Sequence, residues 1–170
     1  KVAMWNGAGW TNLGSGLNDA ARVVAVDNNG ALHAGGFFTV AGGVSAIRRA
    51  VYGGGVWNSY GSVNGPAYAL VSSTNNIIYT GGTFSGGGKY FVEMWNGDTW
   101  TALGGGMDYY IHALAVDSNG QVYVGGSFTN AGGKAANYVA RWDGSGWTNM
   151  GSGLGGTVMA IAFDRYGNVY

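Results

Sequence analysis

Apolar residues along this 170-residue chain come in short runs of strand length, and no useful stretch repeats them every 3.6 residues. The pattern predicts strands and leaves almost no room for helix. Residues 18–164 are therefore expected to be all-β, with no helix longer than a turn. Between residues 90 and 128 four such runs follow one another, YFVEMW, TWTALG, IHALAVD and QVYVGGSF. The first two flank Asn96-Gly97-Asp98-Thr99, and the last two flank Ser118-Asn119-Gly120. Asn-Gly and Asp-x-x-Gly supply the positive φ of a tight hairpin, so both joints read as antiparallel turns. Ala113-Leu114-Ala115-Val116 is apolar on both faces, which suits a sheet covered on both sides.

The runs recur. MWNGAGWTNLGSGL at 4–17 returns as MWNGDTWTALGGGM at 94–107 and RWDGSGWTNMGSGL at 141–154, with a worn copy, VYGGGVWNSYGSV, at 51–63. The first aromatic of each copy is Trp5, Tyr52, Trp95 and Trp142, and the second is Trp10, Trp57, Trp100 and Trp147; both series step by 47, 43 and 47. A second landmark keeps pace: VVAVDNNGALHAGG at 23–36, ALVSSTNNIIYTGG at 69–82, ALAVDSNGQVYVGG at 113–126 and AIAFDRYGNVY at 160–170. The repeat units are cut as 1–49, 50–91, 92–138 and 139–170. A four-stranded antiparallel unit of about 45 residues, repeated and buried on both sheet faces, predicts the blades of a β-propeller. A β-solenoid lacks such hairpins, and a β-sandwich keeps no fixed period. The fourth unit stops at GNVY, before the double glycine, so the chain is expected to be a segment completed by further sequence or neighbouring copies, ahead of closure into a four-bladed ring.

Apolar runs ending in Gly-Gly (HAGG, IYTGG, VYVGG) and followed by Trp-bearing strands resemble the kelch and galactose-oxidase central-domain propellers. The resemblance spans almost the whole chain and implies the architecture. The spacing departs from the kelch pattern, with two Trp five apart, and the copper ligands of galactose oxidase have no matching constellation. Its activity is therefore not implied. The chain is also similar to Gly-rich propeller repeats of large secreted or surface proteins, including fungal cortical polarity markers, which implies extracellular adhesion or scaffolding.

Composition narrows the classes. The 35 Gly, 7 Trp and 11 Tyr stand beside eight cationic and eight acidic residues that cancel. Aromatic and aliphatic content this high argues for a packed core despite the glycine. A neutral chain lacks the footprint of a nucleic-acid or membrane-surface binder, and no apolar run is long enough to span a bilayer. Zero Cys removes disulfides, zinc ribbons and thiol nucleophiles. The opening KVAMW reads as mature or excised sequence, with no signal peptide.

Candidate chemistry is sparse. Asp27, Asp117 and Asp164 open Asp-x-x-Gly turns that resemble half a calcium loop, but no bidentate acid follows, and turn capping is the expected role. The Trp pairs invite sugar stacking, yet a Trp in nearly every unit reads first as a hairpin brace or core residue. On that reading Trp100 is a buried ring worth about 3–5 kcal/mol. His33 and His112 share no motif, and the acids are scattered, with Glu93 the only Glu. No catalytic residue, metal ligand or cofactor site is assigned. In an antiparallel blade the short Trp-Asn-Gly-x-x-Trp and Asp-x-x-Gly turns share one face, and the variable loops share the other. Since loops carry function, the binding candidates are Arg22, Arg48, Arg49, Lys89, Asp108, Tyr109, Tyr110 and Lys134. The expected function is a non-catalytic extracellular or cell-surface binding or scaffold module, with a protein or neighbouring copies of itself as partner. The alternatives are a lectin-like carbohydrate binder or a non-catalytic part of a secreted polysaccharide-active enzyme.

Overall fold

Strands follow the predicted runs. The computed structural model describes residues 2–170, and among them no helix is found. The strands are β1 (Ala3–Trp5), β2 (Trp10–Asn12), β3 (Ala21–Val26), β4 (Leu32–Gly36), β5 (Val40–Ala41), β6 (Val44–Ser45), β7 (Arg49–Gly53), β8 (Val56–Asn58) and β9 (Ala67–Ser72). They continue with β10 (Ile78–Gly86), β11 (Lys89–Trp95), β12 (Trp100–Ala102), β13 (Ile111–Val116), β14 (Val122–Gly126), β15 (Asn130–Ala131), β16 (Lys134–Ala135), β17 (Val139–Trp142) and β18 (Trp147–Asn149). Three four-stranded antiparallel sheets result, β3-β4-β7-β8, β9-β10-β11-β12 and β13-β14-β17-β18. Each takes its first two strands from one repeat unit and its last two wholly or mainly from the next. The β1-β2 hairpin matches the last two strands of a sheet. The segment 160–170 matches the first two through the Phe163–Val169 bridge.

The turns form for the reasons their sequence gives. Asp27, Asp117 and Asp164 each accept two backbone N–H groups across their own turn with Oδ1, and the Ser73 hydroxyl accepts one, from Ile77. In the other turn type Asn6, Asn96 and Asp143 cap in the same way. The flanking aromatics meet across the strands: Trp5–Trp10, Tyr52–Trp57, Trp95–Trp100 and Trp142–Trp147 centroids lie 5.7, 5.2, 5.4 and 5.2 Å apart.

The double glycines let the sheets approach. A Cβ on Gly35, Gly81 or Gly125 would lie 2.8, 2.6 or 2.4 Å from Ala67, Ile111 or Val158, on the first strand of the following sheet or its C-terminal counterpart. A Cβ on Gly36, Gly82 or Gly126 would meet the carbonyls of Ala20, Pro66 or Tyr110 at 2.2–2.3 Å. No larger residue fits either place. Phe38, Phe84 and Phe128, just beyond each double glycine, are fully buried.

Each following sheet is also clipped to the exit of the one before it. The Trp57 indole N–H donates to the Leu13 carbonyl at 2.7 Å, and Trp147 donates to Leu103 at 3.0 Å. Trp100 donates likewise to Tyr60. Trp57 and Trp147 are core residues, 4% and 3% exposed, whereas Trp10 has no indole acceptor among the described residues and is 72% exposed. Trp100 departs from the expected core ring. It is half-buried, because its neighbours are Tyr60 and the Arg49 guanidinium rather than a closed apolar shell.

Candidate functional site: a cleft at three β-bulges

The first strands β3, β9 and β13 lie side by side. In each, the second residue drops out of the ladder. Ala21 pairs with Gly36 and Val23 with Gly35, leaving Arg22 unpaired. Ala67 pairs with Gly82 and Ala69 with Gly81, leaving Tyr68, and Ile111 pairs with Gly126 and Ala113 with Gly125, leaving His112. These are β-bulges, which re-aim the side chain of the extra residue. Their place is set by the double glycine, the only residue type that tolerates the preceding carbonyl so near. All three bulged residues, with Met159, line one cleft of about 430 Å³. Met159 holds the matching position, five residues before Asp164.

Inside the cleft the groups are ordered by stacking. The Arg22 guanidinium lies 5.4 Å from the Phe37 centroid and 5.7 Å from that of Tyr68. Ring faces therefore hold it, and among the described residues it makes no hydrogen bond or ion pair. Tyr68 and His112 are near-parallel, 16° apart with centroids at 6.0 Å. His112 Nε2 meets the Ser127 hydroxyl at 3.0 Å, and that hydroxyl lies 3.2 Å from Thr157 Oγ1. Burial pushes the His112 imidazole below its ordinary range, so it is neutral at neutral pH. Among the described residues no Asp or Glu lines the cleft. A second cavity of about 460 Å³, against Leu154, Val158, Ile161 and Tyr170, has mainly apolar walls, with the Tyr170 phenol as its one polar side chain among the described residues.

Of the residues expected to bind, Arg22 alone reaches this cleft. Arg49 is a correction: it is 3% exposed, paired with Glu93 and stacked on Trp100 at 4.0 Å, so it locks two sheets together and meets no solvent. Asp108 is on the loop face, but its carboxylate is consumed by Thr129 and Asn130, whose backbone N–H groups approach to 2.8 and 2.9 Å. Burial pulls this carboxyl upward, yet the Asn130 and Thr129 hydrogen bonds overrule it and hold it at about 2. Asn18 clips Thr39 and Val40 in the matching loop. Arg48 is half-buried at a φ of 71° and donates to the Phe37 carbonyl. Tyr109 and Tyr110 form an aromatic patch with Tyr90, at 4.3 Å from each other, and Tyr109 is 46% exposed. Lys89 and Lys134 begin β11 and β16 without joining either group.

Tyr68 and His112 were not among the expected residues. The signal for them was present: five residues before each Asp-x-x-Gly turn or its Ser73 equivalent stand Arg22, Tyr68, His112 and Met159, four unlike residues in an otherwise repeated strand.

No family model and no curated protein matches the chain. Among solved structures, it is similar to a fucose lectin from Kordia zhangzhouensis in complex with methyl-fucoside, at 16% identity and a TM-score of 0.45, over 75% of this chain and 96% of the lectin. At that level the likeness assigns neither a ligand nor a site.

Proposed function

We propose that the three sheets are successive blades of a β-propeller and that the chain is a non-catalytic carbohydrate-binding module working outside the cell. The observation that carries the reading is the convergence of three bulged side chains, Arg22, Tyr68 and His112, on one cleft. Apolar and aromatic side chains beside a few placed polar groups are the composition that orients a small polar ring. Tyr68, flanked by Arg22 and His112, supplies aromatic surface, and His112 supplies the ring nitrogen that Ser127 does not hold. Paired carboxylates, which glycoside hydrolysis uses on either side of the scissile bond, are absent from the cleft lining, so the site favours holding over cutting.

A panel of immobilised glycans, probed with the chain and with Tyr68→Ala and His112→Ala, tests this. Retention of a defined glycan set is expected, lost by about tenfold or more in both variants, with unfolding midpoints unchanged. No retention, or retention indifferent to Tyr68→Ala, overturns the reading.

A further inference from the structure

We infer that the sugar held in this cleft carries a carboxylate, recognised by Arg22; the inference rests on the carbohydrate-binding reading and narrows it. Three observations lead here. Among the described residues Arg22 is the only cation lining the cleft, and no acid lines it in compensation. The guanidinium has no hydrogen-bonding partner on the protein among the described residues, while its central carbon lies over the Phe37 and Tyr68 rings. The rings take up none of its five N–H donors, which are uncommitted to the protein among the described residues. A guanidinium is a planar fork, and a carboxylate meets it with two parallel, charge-assisted hydrogen bonds.

The remaining wall completes the choice. The His112 imidazole, neutral and tied through Ser127 to Thr157, adds no second positive charge and suits hydroxyl groups. A single cation facing neutral polar groups fits a singly charged acidic sugar, a uronate or a sialate. It fits a phosphorylated sugar less well, since a phosphate monoester carries nearly two charges, and a sulfated one less well because sulfate-ester oxygens are much weaker bases and weaker hydrogen-bond acceptors than a carboxylate's. Ligand charge here also meets little opposition from the chain, which has no net charge.

The glycan panel should therefore hold uronate-terminated, sialate-terminated, sulfated and neutral structures. Retention concentrated on the carboxylated set is expected. For the strongest of these, calorimetry compares the acid with its methyl ester, which removes the charge and keeps the stereochemistry, and free glucuronate and free sialate as competitors separate a monosaccharide source from a polymer. The ester should bind about 10- to 100-fold more weakly. Arg22→Gln should erase the difference between acid and ester, and Arg22→Lys, which keeps charge but not the fork, should restore only part of it. Equal binding of acid and ester, or retention of neutral or sulfated glycans alone, overturns this inference while leaving carbohydrate binding in place. An empty panel overturns both.

Discussion

Trp10 and Trp147 occupy the same place in the same motif, yet replacing them by Ala should have very different costs. Trp147 is 3% exposed, packs over Gly104 and Gly132, and donates its indole N–H to the Leu103 carbonyl at 3.0 Å. Truncating a buried Trp costs about 3–5 kcal/mol through lost transfer energy and the cavity left behind. The stranded Leu103 carbonyl adds to that, since an unsatisfied buried acceptor costs about 1–3 kcal/mol, so Trp147→Ala belongs at the upper end. Trp147→Phe keeps most of the ring and should cost about 2 kcal/mol, mainly the hydrogen bond. Trp10 is 72% exposed with only the Trp5 ring at 5.7 Å, so its loss should cost under about 1 kcal/mol. Urea unfolding followed by intrinsic fluorescence and circular dichroism measures all three, with unchanged slopes licensing the comparison. Trp10→Ala as damaging as Trp147→Ala would refute the backward clip as the source of the difference.

Asp108→Ala should destabilise by about 1–3 kcal/mol, because it strands the N–H groups of Thr129 and Asn130; Asp108→Asn should cost less, since Asn18 does the same work in its own loop. Both are read from urea midpoints. Burial depresses the His33 pKa against the pull of Asp27, so its contribution is full above about 6.5, the ordinary value, and is lost as pH falls below it toward the folded pKa. His112 titrates in the same direction, and His33→Gln should reduce the slope in unfolding midpoint against pH, leaving the His112 share. Gly81→Val should fail to fold or lose several kcal/mol, because even its Cβ would lie 2.6 Å from the Ile111 side chain; a variant with native thermal stability would count against the close sheet contact.

The run lengths and turn residues were enough to predict strands, hairpins and the pairing of aromatics across them, because each depends on neighbours in the chain. Trp100 and Arg49 were misjudged for the opposite reason. Whether a ring or a guanidinium is covered depends on the adjoining sheet, and Glu93 lies 44 residues from its Arg49 partner. Asp108 looked like a free surface charge for the same reason, its partners being 21 and 22 residues away. The site was hardest to see. A β-bulge is a matter of register between two strands, and the strands alone do not show that Arg22, Tyr68 and His112 leave the ladder. Their variety within a repeated strand was the one visible sign.

The bulges separate two demands that most residues must meet together. A ladder residue in β3, β9 or β13 answers to its strand partner and to the packing beneath it, so its identity is constrained by folding. The bulged residue answers to neither, since the glycine opposite has already absorbed the geometric cost. Arg, Tyr and His can stand there in turn without disturbing the strands around them. The lining of the cleft can thus be rewritten one sheet at a time, at single positions, while the glycines, the buried Phe residues and the indole clips remain as they are.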